Sequence, residues 1–260
     1  MIVANVERAI LVVSVVVVGL ALSLFLDRPF SWLLAAILAV LVGVGSDHIY
    51  HLHWRIHLRR KRYTMTLWIL PVLVVLGAFL FLRLPVFSSG IAVVGGLLVT
   101  GALLTAVISS QYHTIDPDDP LHPRARFVLN LIDYLVAFEL FSAIYSTKAR
   151  ALMSATAVFA VGALISLDLL RGTERSVQRT WLYSGIIGLV LAQLAWALNY
   201  WVISGMAGGL LLLLFFYVVT GIVQNHLLGH LTPRLMAEFA FVALIGLALV
   251  LAAGPWLQVV

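Results

Sequence analysis

Residues 205–227 read GMAGGLLLLLFFYVVTGIVQNHL, a stretch without one Asp, Glu, Lys or Arg. A hydrocarbon core about 30 Å thick is crossed by about 20 mostly apolar helical residues, so this stretch predicts a transmembrane helix. Working outward from it, eight more such runs appear, at roughly 9–26, 30–50, 65–82, 88–112, 126–146, 150–170, 180–202 and 234–257. Barrel strands would be about 10 residues long with alternating polarity. These runs are longer and apolar throughout, so each satisfies its own backbone as a helix. The expected fold is an all-α, polytopic helix bundle of about nine spans, forming one integral membrane domain over residues 1–260. The glycines of Gly205, Gly208 and Gly209, and of Gly95, Gly96 and Gly101, are expected at close helix contacts.

Composition supports this reading. Of 260 residues, 63% are apolar, and only 16 Lys+Arg and 11 Asp+Glu are present. Soluble domains run at about 45–50% apolar and about 25% charged. A mean hydropathy of +1.09 excludes disorder, and the +5 excess carries no nucleic-acid meaning on such a chain. The absence of Cys excludes disulfides, thiolate metal ligands and a thiol nucleophile. The first run lacks a strong basic n-region and a small-residue cleavage site, so it is read as a retained helix.

Orientation follows from the short loops. With the N-terminus inside, the inner segments hold Arg8, Arg55, Arg59, Arg60, Lys61, Arg62, Arg124, Arg126, Arg171, Arg175, Arg179 and Arg234; the outer ones hold Arg28, Arg83, Lys148 and Arg150. Twelve against four predicts an N-in, C-out protein of the bacterial inner (plasma) membrane, its N-terminus cytoplasmic. All eight histidines (His48, His51, His53, His57, His113, His122, His226, His230) then fall on the inner side.

Four polar groups stand out. Asp47, His48 and His51 end span two and lead into Trp54, His57 and the basic run Arg59, Arg60, Lys61, Arg62. This segment is expected to lie at the interface as a helix that attracts anionic headgroups, with Asp47, His48 and His51 as candidate ligands or headgroup contacts. Ser109 and His113 share a helix face at the inner end of span four, followed by an acidic, Pro-rich turn whose Asp116, Asp118 and Asp119 are expected to be solvated. Span five carries Asn130, Asp133 and Glu139. Counted from Arg126, Asp133 is about 10 Å and Glu139 about 20 Å deep. An intramembrane carboxylate is costly unless paired, protonated or facing water, and Gln193 or Asn199 are candidate partners for Glu139. Finally, His226 and His230 form an His-x-x-x-His pair, followed by Glu238. On a helix, that spacing aims both rings one way, as zinc ligands require. Pro233, expected in the first turn of span nine, places a helix break just after His230.

The stretch Ser109-Ser110-Gln111-Tyr112-His113, with Arg124, Arg126 and Leu131-Ile132-Asp133-Tyr134, resembles the hemolysin-III, adiponectin-receptor and alkaline-ceramidase superfamily. The resemblance implies a seven-helix core over residues 64–260, with residues 1–63 adding two spans and the basic interfacial helix. It also implies a zinc ion held by His113, His226 and His230, with Asp133 orienting or deprotonating its water and Ser109 steadying the oxyanion. The implied activity is hydrolysis of a lipid or lipid amide entering from the bilayer. Two departures stand against it: Tyr134 occupies a position that is often His in the family, and Pro233 follows the His pair. The match covers about 30 residues.

Two other classes remain open. Asp133 and Glu139 could serve a transporter or a proton or lipid carrier. Alternatively, the chain could be a non-catalytic membrane accessory subunit with interfacial histidines, or one holding haem between two of them.

Overall fold

The computed structural model describes residues 2–51, 66–116, 118–171, 176–201 and 203–257. Among the described residues there are nine α-helices and no strand. They are α1 (Ile2–Ser23), α2 (Arg28–His51), α3 (Ile69–Phe81), α4 (Gly90–Thr114), α5 (His122–Ser146), α6 (Ala151–Leu170), α7 (Val177–Leu198), α8 (Gly205–Leu227) and α9 (Pro233–Leu257). Each stands where an apolar run is found in the sequence. Six of them (α2, α4, α5, α6, α7, α8) are long and apolar enough to cross a membrane, which makes this a multi-pass membrane protein.

α3 is the shortest. Its 13 residues rise about 20 Å, less than a hydrocarbon core of about 30 Å. The run from 65 to 82 is trimmed at both ends. Pro71 falls in the first turn, where its missing N–H costs nothing. Pro85 then opens a single 3₁₀ turn, Pro85–Phe87. Hydroxyls start three of the other helices. Ser89 Oγ accepts from Ala92 N at 3.2 Å for α4. Ser204 Oγ accepts from Ala207 N at 3.3 Å for α8. Thr232 Oγ1 accepts from Leu235 N at 3.3 Å for α9, with Pro233 as the first helical residue. Each satisfies one of the orphan N–H groups of a first turn.

The chain divides into two compact units, Met1–Val136 and Ala137–Val260, the boundary falling inside α5. In the first unit, α1 packs on α2, α2 on α3, α3 on α4, and α4 back on α1. The four helices thus close a ring, filled by Val16, Leu20, Leu38, Val42, Leu70, Val75, Leu104 and Val107. Small residues set the approach of α1 to α2: a Cβ on Gly45 would lie 3.0 Å from Val12 Cγ2. Gly101 meets Val17 of α1, and Gly96 meets Leu82 and Phe87. Gly95 faces open space, so only two of these three glycines serve packing.

Arg83, just past α3, fastens two helix ends of this unit. Its guanidinium donates to Ser23 O, the last carbonyl residue of α1, at 2.7 Å, and to Phe79 O at 3.0 Å. It also stacks 3.8 Å over the Phe79 ring. A cation at two helix C-termini meets both unsatisfied carbonyls and the negative end of each dipole.

In the second unit, α6 and α7 form the most extensive helix pair. α8 packs on α7 and α9, and its N-terminal half is laid against α5. Gly205 meets Ser146, Gly208 meets the Tyr145 ring and Gly209 meets Ser142, whose Cα would lie 2.6 Å from a Cβ at that position. The expectation for these three glycines therefore holds, and its partner is α5. Tyr145 OH then donates to Leu198 O at 2.7 Å and Trp201 O at 3.2 Å. Lys148 (φ 46°) sits 3.9 Å over the Tyr145 ring and donates to Ile203 O at 2.8 Å. The α5–α6 turn is thereby tied to the α7–α8 connection.

Candidate functional site

α5 carries the deepest ionisable groups. It begins at His122, four residues before the expected start, because Asp119 feeds it with an Asx turn: Asp119 Oδ1 accepts from Leu121 N at 2.8 Å. Asp133 is thus eleven residues in, about 16 Å along the axis, in the middle of a 25-residue helix. That is deeper than the count from Arg126 suggests. Glu139 lies seven residues before the helix end, about 10 Å from it. Both carboxyls are carried by one apolar helix that is long enough to cross a membrane. Asp133 is 1% exposed. Glu139 is half-buried, and its enclosed Oε2 has no hydrogen-bond partner. One turn further on, the buried Ser142 Oγ is likewise unbonded. Gln193, expected as a partner for Glu139, is exposed on α7.

At the α4–α5 connection the acidic turn is held by its own hydrogen bonds, with Asp118 exposed. Asp119 Oδ2 lies 2.7 Å from His113 Nδ1. Asp116 Oδ1 accepts from Asp118 N at 3.0 Å, and its backbone carbonyl lies 3.1 Å from His122 Nδ1. The His113 ring and the Leu121 N–H hold the Asp119 carboxyl below the usual carboxylate range. His113 is partly exposed, and Ser109 on the same face is exposed, whereas Asp133 is buried. Nearby, Tyr50 OH of α2 donates to Gln111 Oε1 of α4 at 2.5 Å, both side chains fully buried. This polar tie across the first unit was not legible in the sequence.

The His226/His230 pair does not share a helix face. α8 ends at Leu227, and Gly229 takes a left-handed conformation at φ 73°. Gly229 N donates to His226 O at 3.1 Å and His230 N to Asn225 O at 3.0 Å, the two bonds of a Schellman termination. His226 is in the last helical turn, its ring edge-on to Tyr183 at 6.1 Å, and His230 is past the helix. The break comes before His230, from Gly229, and not after it from Pro233. Both histidines are exposed, as is Glu238 in α9. Among the described residues, no three His, Asp or Glu side chains are gathered as ligands for one metal ion.

At the end of α2, Asp47 and His51 pair across one turn, Oδ2 to Nδ1 at 3.3 Å, and His51 Nδ1 also lies 2.9 Å from Asp47 O. His48 is exposed. The headgroup candidates Arg59, Arg60, Lys61 and Arg62, with His53, Trp54 and His57, lie outside the described residues.

One buried carboxylate escaped the sequence reading. Asp168, in the last turn of α6, is 4% exposed and forms an ion pair with Arg171 at 3.3 Å. Its signal in the sequence is an acid three residues before an arginine at a helix end.

A family model described as a protein of unknown function, DUF5656, matches residues 8–253. The chain belongs to that family. No curated protein and no solved structure matches it. The DUF5656 match runs from the first turns of α1 into the last of α9, so both units, and all the polar groups above, lie within it.

Proposed function

We propose that this protein is a membrane carrier that moves protons by way of α5, with Glu139 as the exchanging group and Asp133 as a second acid on the same helix. One observation carries this reading: two carboxyls sit on α5, an apolar helix long enough to cross a membrane, one almost wholly shielded and the other with an oxygen lacking any hydrogen bond. A charge held there costs about 2.5–3.5 kcal/mol on insertion scales, so such residues are rare unless paired or used. Other polar side chains at mid-span are few, which suits a proton better than a hydrated solute. The test is proton flux into proteoliposomes holding a trapped pH dye under an imposed potassium diffusion potential. Wild-type vesicles acidify faster than empty ones, and Glu139→Gln returns them to the empty rate. Equal rates in wild-type and empty vesicles would end the proposal.

Metal-assisted hydrolysis of a lipid or lipid amide is a second reading, favoured by the His113–Asp119 pair. A carboxylate on Nδ1 fixes the ring and leaves Nε2 for a ligand. It needs further donors from His226 and His230, which a Schellman turn separates. Zinc content of purified wild-type protein against His113→Ala is its test.

A further inference from the structure

An apolar groove of about 390 Å³ runs between α2 and α3 and is lined by Val40, Val44, Asp47, Trp68 and Val72 among others. Beyond it, an open apolar face of α2 continues from Val44 and Val40 past Leu41 and Ile37 to Ala36. Together they form one track from Asp47 to Ala36. Eleven residues of helix rise about 16 Å, and half of a hydrocarbon core about 30 Å thick is about 15 Å. The track has the length of one leaflet.

Among the described residues, its one charged side chain stands at one end. Asp47 lies four residues before the end of α2 and keeps 46% of its side chain exposed despite the His51 contact. Trp68, 45% exposed, flanks the groove near the start of α3; an indole combines an apolar body with an N–H donor, which suits headgroup level. An acid at the mouth of an acyl-length track selects for a cation. A phospholipid ammonium would meet it with charge-assisted hydrogen bonds, whereas a headgroup bearing only its phosphate would bring like charge.

We propose that this track seats an acyl chain of a phospholipid with a primary-amine headgroup, of the phosphatidylethanolamine class, its ammonium on Asp47. The test is native mass spectrometry of the full chain in detergent micelles doped with equal phosphatidylethanolamine and phosphatidylglycerol of identical chains. Wild-type protein retains the amine lipid over the glycerol lipid by about two- to fivefold, the range of a half-exposed ion pair. Asp47→Asn brings the ratio to one while total bound lipid persists, and His51→Ala keeps the preference. Val40→Trp, at a lipid-facing position, fills the track and lowers both adducts. Equal retention by wild type, a preference surviving in Asp47→Asn, or unchanged adducts in Val40→Trp would each overturn the proposal.

Discussion

Arg83 and Lys148 stand at helix ends that the basic-residue bias assigns to the outer face, and each is spent on backbone carbonyls and an aromatic ring. His226 and His230 stand at an end assigned to the inner face, and their rings are exposed, with Tyr183 edge-on to His226. Arg83 and Lys148 each have a local structural reason to be where they are. The contrast separates residues that hold the fold from residues left available for chemistry.

The comparison can be broken first where packing is tightest. Gly209→Val drives a side chain into Ser142 of α5 and is expected to cost about 3 kcal/mol, the upper end for overpacking. Thermal unfolding in detergent reads it, and an unchanged Tm would mean that α5 and α8 are not in this contact. Arg83→Ala, which frees two carbonyls at helix ends, should cost about 1–2 kcal/mol in the same assay, with Arg83→Lys recovering part of it. The Asp119 effect is smaller and depends on pH. Its carboxyl lies below the usual range in the folded protein, so its contribution is complete at neutral pH and disappears as pH falls through that lowered value. Wild type should therefore exceed Asp119→Asn in Tm at pH 7, and the two should converge in acid. At the far end of the scale, His226→Ala and His230→Ala should each shift stability by no more than about 0.5 kcal/mol. A larger loss would erase the distinction between the two sets of ends.

The helices were legible because bilayer thickness fixes their length and composition. What was not legible depended on single residues. Gly229 ends α8 between the two histidines, and an i,i+4 pattern carries no sign of a left-handed residue inside it unless the glycine is read as a stop. Asp133 lies deeper than expected because Asp119 starts α5 earlier than the first apolar residue suggests. Asp168 was hidden by its arginine, and the Tyr50–Gln111 bond joins residues 61 apart in sequence, a separation no periodicity encodes. Glu139 was found from its depth alone; of its two candidate partners, Gln193 and Asn199, Gln193 is exposed on α7.

The claim that α5 holds a proton-exchanging acid is tested most directly by dicyclohexylcarbodiimide, which modifies protonated carboxyls in apolar surroundings. Native membranes would be treated at neutral pH and the labelled residues mapped by mass spectrometry. Label on Glu139, with none on the ion-paired Asp168 or the water-facing Asp119, is the predicted result. Label on Asp119 or Asp168 with Glu139 unmodified would contradict it.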